Sequence, residues 1–230
     1  KLISPPYTEK DVRQAFKSRF LSKLKEHEGV WLIDMERRRV HGKPRQVPPK
    51  KPELLSVEGP VRSMAMTRDQ LEAVDRMVEM AFQKGKSALV IVANRGRGKS
   101  AALGLALSKI MGKGPYREII VTAPTPRGIG TLFEFLKRGL RAQGVEYSEV
   151  VRNGLTLAVK ARRSTVFYLS PASAAVAKAK MKVVDEAASI PVFILFQILR
   201  SCKMAVFSST IHGYEGAGRS FSVRFLEALR

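Results

Sequence analysis

A chain of 230 residues suffices for one domain of ordinary size, or one domain with a substantial extension. Its apolar fraction of 45% supplies a real core and excludes a disordered tail, while 41 Lys plus Arg against 20 Asp plus Glu leave a formal charge of +21, which points to a polyanionic partner. One cysteine, Cys202, excludes a disulfide framework and any Cys-based zinc site; His27, His41 and His212 show no metal-ligand spacing, and neither a signal peptide nor an apolar run of about 18 residues is present, so the expectation is a soluble, cytoplasmic chain with no membrane partner.

The elements read as follows in chain order. The chain opens on Lys1, not methionine, and residues 9–25 carry Val12, Phe16, Phe20 and Leu24 on one helical face. A short strand is expected over 30–33. Pro44, Pro48, Pro49 and Pro52 then stand among Lys43, Arg45, Lys50 and Lys51, a density that excludes a helix or central strand and leaves a basic linker, either solvated or touching RNA. From Thr67 the pattern alternates: helix 68–84, strand 87–92, helix 99–111, strand 118–122 and helix 127–142. Strands 155–159 and 164–169 follow around the basic turn Lys160–Arg163, then strand 181–185, helix 192–200 and strand 204–208. Strands separated by helices of this length predict an α/β fold, a mostly parallel sheet with helices on both faces. Residues 1–66 are expected to form a small N-terminal extension and linker, and 67–230 the main domain. The last segment, 221–230, places Phe221, Phe225 and Leu229 on one face without a stop signal, so both ends are expected to be cuts in a longer protein. Charge is spread over both parts: 15 basic and 8 acidic residues in 1–66, and 26 and 12 in 67–230.

Two motifs carry the chemistry. Ala93-Asn94-Arg95-Gly96-Arg97-Gly98-Lys99-Ser100 follows an apolar strand and opens a helix, the context of a phosphate-binding loop. Gly96 and Gly98 let backbone N–H groups face the phosphates, the helix adds its positive dipole end, Lys99 reaches the β- and γ-phosphates, and Ser100 ligates Mg²⁺. Ala93 stands where such loops usually begin with glycine. Further on, an apolar strand ends in Asp185-Glu186, placing two carboxylates at the carboxyl edge of the sheet. Asp185 would hold Mg²⁺ and Glu186 would polarise the attacking water. Together the two motifs specify a RecA-like P-loop NTPase lobe that uses ATP and Mg²⁺.

Three further segments have two readings each. Thr67-Arg68-Asp69-Gln70 is a helix-capping box, or Gln70 reads adenine through its amide, and both can hold. Thr122-Ala123-Pro124-Thr125 faces nucleic acid, as in helicase-like ATPases, or is a plain strand-to-helix turn. Arg162, Arg163, Lys178, Lys180 and Lys182 are candidate RNA phosphate contacts or a solvated basic face. The hydroxyls of 208–210 are placed to relay the state of the γ-phosphate, and Arg219, in a loop with three glycines, to complete charge neutralisation.

Residues 95–102 (Arg95 to Ala102), 184–191 (Val184 to Pro191) and above all Ser209-Thr210-Ile211-His212-Gly213-Tyr214-Glu215-Gly216-Ala217-Gly218-Arg219 resemble the helicase-like module of the tRNA(Met) cytidine acetyltransferases, the TmcA family. The resemblance covers about residues 67–226, and more vaguely the first 66 as the end of a preceding domain. It implies an ATPase module that works with a GNAT-type acetyltransferase domain and an RNA-binding tail, which use acetyl-CoA to make N4-acetylcytidine in tRNA. It also implies that Gln70 contacts adenine, that Ala93, Asn94, Arg95, Gly96, Arg97, Gly98, Lys99, Ser100 and Ala101 hold the phosphates, and that Arg219 binds the γ-phosphate end. Asn94 and Ser220 depart from the family's usual residues without removing a phosphate ligand. No acetyl-CoA site falls within these residues, so acetyl transfer is not expected of this segment alone. The competing expectation is a nucleic-acid-stimulated NTPase lobe of a helicase or packaging motor; a non-catalytic RNA scaffold is disfavoured by the intact Lys99, Ser100, Asp185 and Glu186.

Overall fold

The computed structural model describes residues 31–34, 39–42, 59–114, 116–210 and 225, and the chain divides into two units, Lys1–Lys51 and Pro52–Arg230. In the first, β1 (Trp31–Asp34) pairs antiparallel with β2 (Arg39–Gly42), Trp31 opposite Gly42. The strand expected over 30–33 is β1. The helix expected over 9–25 and the proline-rich stretch 43–52 lie outside the described residues.

The second unit is built on a sheet of seven strands. In chain order they are β3 (Ser87–Val92), β4 (Glu118–Thr122), β5 (Tyr147–Arg152), β6 (Leu155–Ala161), β7 (Ser164–Tyr168), β8 (Met181–Val184) and β9 (Met204–Ser209), in spatial order β3-β9-β8-β4-β7-β6-β5. The first five of that order run parallel; β6 and β5 add antiparallel at one edge. The helices are α1 (Arg68–Phe82), α2 (Lys99–Lys113), α3 (Gly130–Ala142), α4 (Pro171–Val176) and α5 (Val192–Arg200).

Period-2 alternation explains why both sheet faces are covered. On β9, Met204 and Val206 join the core beneath α1, α2 and α3, whereas Ala205 and Phe207 join the core beneath α4 and α5. Phe225 stacks edge-on against Phe207 and Phe196, with centroids 4.8 and 5.2 Å away, and is fully buried in this second core. The α2 helix is buried almost all round, from Ala101 to Met111. It lies close against α3 because each helix offers a glycine at the contact. A methyl group on Gly104 would collide with the Leu132 carbonyl and come 2.9 Å from the Leu136 nitrogen; one on Gly139 would collide with the Ser108 hydroxyl.

The sheet and its helices agree with the expected α/β architecture, and two elements were not anticipated. Strand β5 escapes notice because Ser148, Glu149 and Arg152 interrupt its apolar residues, and Val150 and Val151 are exposed on an edge strand. Helix α4 is one and a half turns long, too short to show periodicity, and is set by the Ser170 hydroxyl accepting from Ser173 N–H, with Pro171 in its first turn. The helix expected from Arg127 begins at Gly130, since Pro126 first opens a 3₁₀ turn.

Candidate functional site

All parallel strands end at one edge, and the loop after β3 meets the ends of β8 and β9 there. Strand β9 lies between β3 and β8. Its last residues therefore stand between the glycine-rich loop 93–98 and Asp185-Glu186.

The loop's backbone explains its sequence. Gly96 and Gly98 have φ of 79° and 75°, in the left-handed region that side chains disfavour. Ala93 is absent from that region, so a methyl is harmless where the usual pattern has glycine. Gly98 begins α2 without a side-chain cap, and the helix's first turn holds no acidic residue, which leaves N–H groups open to an anion. The Lys99 ammonium donates to the carbonyls of Ala93 (2.9 Å) and Asn94 (3.1 Å) and to the Thr210 hydroxyl (2.8 Å). Burial pulls its pKa below the ordinary lysine value, partly offset by the negative charges of Asp185 and Glu186.

Asp185 is 1% exposed. Its Oδ1 accepts from the Ser208 hydroxyl, in a short hydrogen bond, and from the Glu186 N–H at 3.0 Å. Its Oδ2 has no hydrogen-bond partner among the described residues. A buried carboxylate oxygen left unsatisfied is costly, so this atom calls for a cation or a cation-bound water. Ser100 opens α2 directly after Lys99, and a hydroxyl and a carboxylate are the oxygen donors that Mg²⁺ prefers. Glu186 is exposed and left-handed (φ 52°), a strained conformation for a residue with a side chain, at the position where a catalytic carboxylate is expected. Ser209 helps fix this turn by accepting from Ala188 N–H, and its carbonyl accepts from Ala93 N–H, tying the loop to β9.

Gln70 does more than cap α1. The cap forms as expected, with Thr67 Oγ1 accepting from Gln70 N–H. The Gln70 side chain then bridges: its Oε1 accepts from Met66 N–H at 2.8 Å, and its Nε2 donates to the carbonyls of Arg97 and Gly98 at 3.2 and 3.3 Å. It thus ties the start of α1 to the glycine-rich loop, a contact across 27 and 28 residues that sequence spacing does not show.

The expected RNA contacts do not form one group. Thr122 is wholly buried, its hydroxyl without a partner among the described residues, and its carbonyl accepts from Asp185 N–H, so it supports the site from below and does not face nucleic acid. Lys182 is also wholly buried; it points to the α4–α5 side and donates to Ala174 O and Ser201 Oγ at 2.7 and 2.6 Å. Neither residue can touch RNA in this structure. Thr125 is exposed beyond β4, near the loop edge. Arg162 is exposed but donates to the Gly112 carbonyl at the end of α2. Arg163, Lys178 and Lys180 are exposed at the opposite edge of the sheet. Arg219 and the glycine loop around it lie outside the described residues.

Residues 90–230 match the family described as RNA cytidine acetyltransferase NAT10/TcmA, helicase domain. The chain belongs to this family. It is 41% identical over 244 residues to the tRNA(Met) cytidine acetyltransferase TmcA of Methanopyrus kandleri, covering 100% of this chain and 28% of the relative. The corresponding protein of Pyrococcus abyssi is 37% identical over 238 residues, covering 98% and 29%. The chain thus spans under a third of the length of the curated relatives it matches. Among solved structures, a large terminase from a thermophilic bacteriophage superposes with a TM-score of 0.51 at 13% identity, covering 70% of this chain and 42% of that one. That likeness shows the fold alone. Among the described residues, no helix is long and apolar enough to cross a membrane.

Proposed function

We propose that this family member binds and hydrolyses ATP and handles RNA for a tRNA(Met) cytidine acetyltransferase, with hydrolysis coupled to positioning tRNA for a GNAT-type domain that lies outside these residues. Residues 67–230 are the ATPase module and 1–66 the end of a preceding domain. The observation that carries this reading is Asp185: a buried carboxylate with one oxygen fixed by Ser208 and Glu186 N–H, the other without a partner among the described residues, at the same sheet edge as Lys99 and an uncapped, glycine-rich helix start.

In the mechanism, the loop from Ala93 to Ala101 offers backbone N–H groups to the phosphates, and Lys99 leaves Ala93, Asn94 and Thr210 to meet them. Because Lys99 holds Thr210, its departure releases the end of β9, the connection by which phosphate occupancy reaches the segment that follows. Ser100 and Asp185 would hold Mg²⁺, which neutralises phosphate charge when bound. Ser208 keeps Asp185 oriented. Glu186 accepts a proton from the attacking water. Gln70 stands beside the loop to contact adenine, and Arg219 supplies positive charge to the γ-phosphate end. Acetyl-CoA is bound by another domain.

The test is ATP turnover with and without elongator tRNA(Met), comparing the wild type with Lys99→Ala and Glu186→Gln. Turnover that rises with RNA and disappears in both variants supports the proposal. Turnover unchanged by either substitution refutes the site.

A further inference from the structure

At the sheet edge opposite the nucleotide site lies an open cavity of about 750 Å³ lined by Arg117, Arg163, Lys178, Lys180, Arg200 and Lys203. Glu118 is the sole acidic residue in its lining. The six cations are exposed, and none forms an ion pair among the described residues. The placement follows a rule. Each parallel strand is entered through a cation one residue before it: Lys86 before β3, Lys203 before β9, Lys180 before β8, Arg117 before β4 and Arg163 before β7. At about 4.8 Å between neighbouring strands, the four of these that line the cavity, Lys203, Lys180, Arg117 and Arg163, span about 14 Å.

Two cations near this edge already have structural work. Lys86 donates to the Arg200 carbonyl, and Arg162 to the Gly112 carbonyl, so they satisfy the ends of α5 and α2. The six that line the cavity are not needed for that. Holding six cations together with Glu118 as the one counter-charge in the lining opposes folding through mutual repulsion, which a polyanion would relieve.

We infer that this row is a second RNA contact, which takes the sugar-phosphate backbone along the amino-terminal edge of the sheet, about 15–20 Å from the nucleotide edge. It rests on the RNA-handling reading above and deepens it. A row of about 14 Å matches roughly five phosphates of a helical strand at 3.4 Å each. Arg117, Arg163 and Arg200 supply the forked donors suited to phosphate oxygens. RNA held here lies across the sheet from the ATP, so hydrolysis acts on it through strand ends and not by direct contact.

The test titrates an in vitro transcribed elongator tRNA(Met) against this chain over about 50 to 200 mM KCl. Wild type is compared with Arg117→Gln/Arg163→Gln/Lys180→Gln/Lys203→Gln and with a charge-matched control, Arg76→Gln/Arg138→Gln/Arg141→Gln/Arg152→Gln, with thermal unfolding confirming that each variant folds. Removing the four edge cations is expected to lower the slope of log K against log salt by about 2 to 3 and to weaken binding at least tenfold, while the control changes the slope by less than about 1. If the wild type binds tRNA and the edge variant matches the control, the edge is no RNA contact, and RNA handling elsewhere on the chain survives. If the wild type shows no salt-dependent tRNA binding, both this inference and the RNA-handling reading fall. If the edge variant loses poly-L-glutamate binding but keeps tRNA binding, the edge serves an acidic protein and the inference is overturned.

Discussion

Asp185→Asn should make the nucleotide-free chain more stable while removing its response to Mg·ATP. In the wild type Asp185 is buried, and one of its carboxylate oxygens has no hydrogen-bond partner among the described residues. Asparagine keeps the acceptor that Ser208 and Glu186 N–H use, and replaces the charged orphan by a neutral amide. An unsatisfied buried polar group costs about 1–3 kcal/mol, and a charged one more. The opposing loss is attraction to Lys99. That ammonium is bonded to Ala93, Asn94 and Thr210 rather than to Asp185, so no direct ion pair breaks. The loss is then a partly screened Coulomb contribution of about 1 kcal/mol or less. The net expectation is a gain of about 1–2 kcal/mol, or a Tm roughly 2–8 °C higher for a domain of this size. Thermal unfolding with and without Mg·ATP checks both halves. At a hundred times Kd the nucleotide should stabilise the wild type by about 2.7 kcal/mol and the variant hardly at all. A variant that is less stable than wild type without ligand, yet is still stabilised by Mg·ATP, would refute the reasoning that Asp185 is held in tension for a cation.

Three other expectations rest on packing and hydrogen-bond contacts. Gly104→Ala meets backbone of α3, which cannot step aside: about 1 kcal/mol gained in helix propensity is outweighed by overpacking of up to about 3, a net loss near 2 kcal/mol, whereas Gly139→Ala meets the Ser108 side chain and should lose less; denaturant midpoints rank the two. Gln70→Ala should weaken inorganic tripolyphosphate as well as ATP, by several-fold, because it frees the loop carbonyls of Arg97 and Gly98; an effect confined to ATP would mean that Gln70 reads adenine without steadying the loop. Burial lowers the Lys182 pKa, so the native state binds fewer protons than the unfolded chain as pH approaches the ordinary lysine range, and this residue adds stability as pH rises. Lys182→Met should remove that increment, measured between about pH 8 and 10 as the difference in ΔG between Cys202→Ser and Cys202→Ser/Lys182→Met, because burial raises the Cys202 thiol and Lys182 lowers it, so the thiol would otherwise titrate differently in the two proteins; burial raises Tyr116 and Tyr168 in both, so their opposite contribution cancels in the difference, and a difference that does not change with pH would refute the assignment.

The loop and the Asp-Glu pair were legible because their chemistry is local: two glycines before Lys-Ser, and carboxylates closing an apolar run. The parallel strands were legible because residues buried on both faces read as continuous apolar runs. What escaped depends on which strands become neighbours. No spacing announces that β9 inserts between β3 and β8, yet that order lets Thr210 meet Lys99 and Ser208 meet Asp185. Lys182 shows the same limit from the other side. A lysine between Met181 and Val183 reads as a solvent-facing residue of a basic cluster, but β8 is central, so its second face is a core as well, and the ammonium is taken inside to meet Ala174 and Ser201.

The basic edge was half legible. Arg163, Lys178 and Lys180 fall in one basic stretch of the sequence, but Arg117 and Lys203 are separated from them by tens of residues. The signal was present in a form that needs the topology to decode: a cation immediately before every strand that proves parallel, and none required by the strand itself. Parallel strands start at one edge, so a residue repeated at the same offset before each becomes a row in space. The same logic at the other ends of the strands gathers the loop, Asp185 and Thr210. One sheet thereby presents one edge that gathers the glycine-rich loop, Lys99, hydroxyls and carboxylates, and an opposite edge lined by six cations and Glu118. The first suits a small anion with its metal, and the second a long polyanion read without sequence.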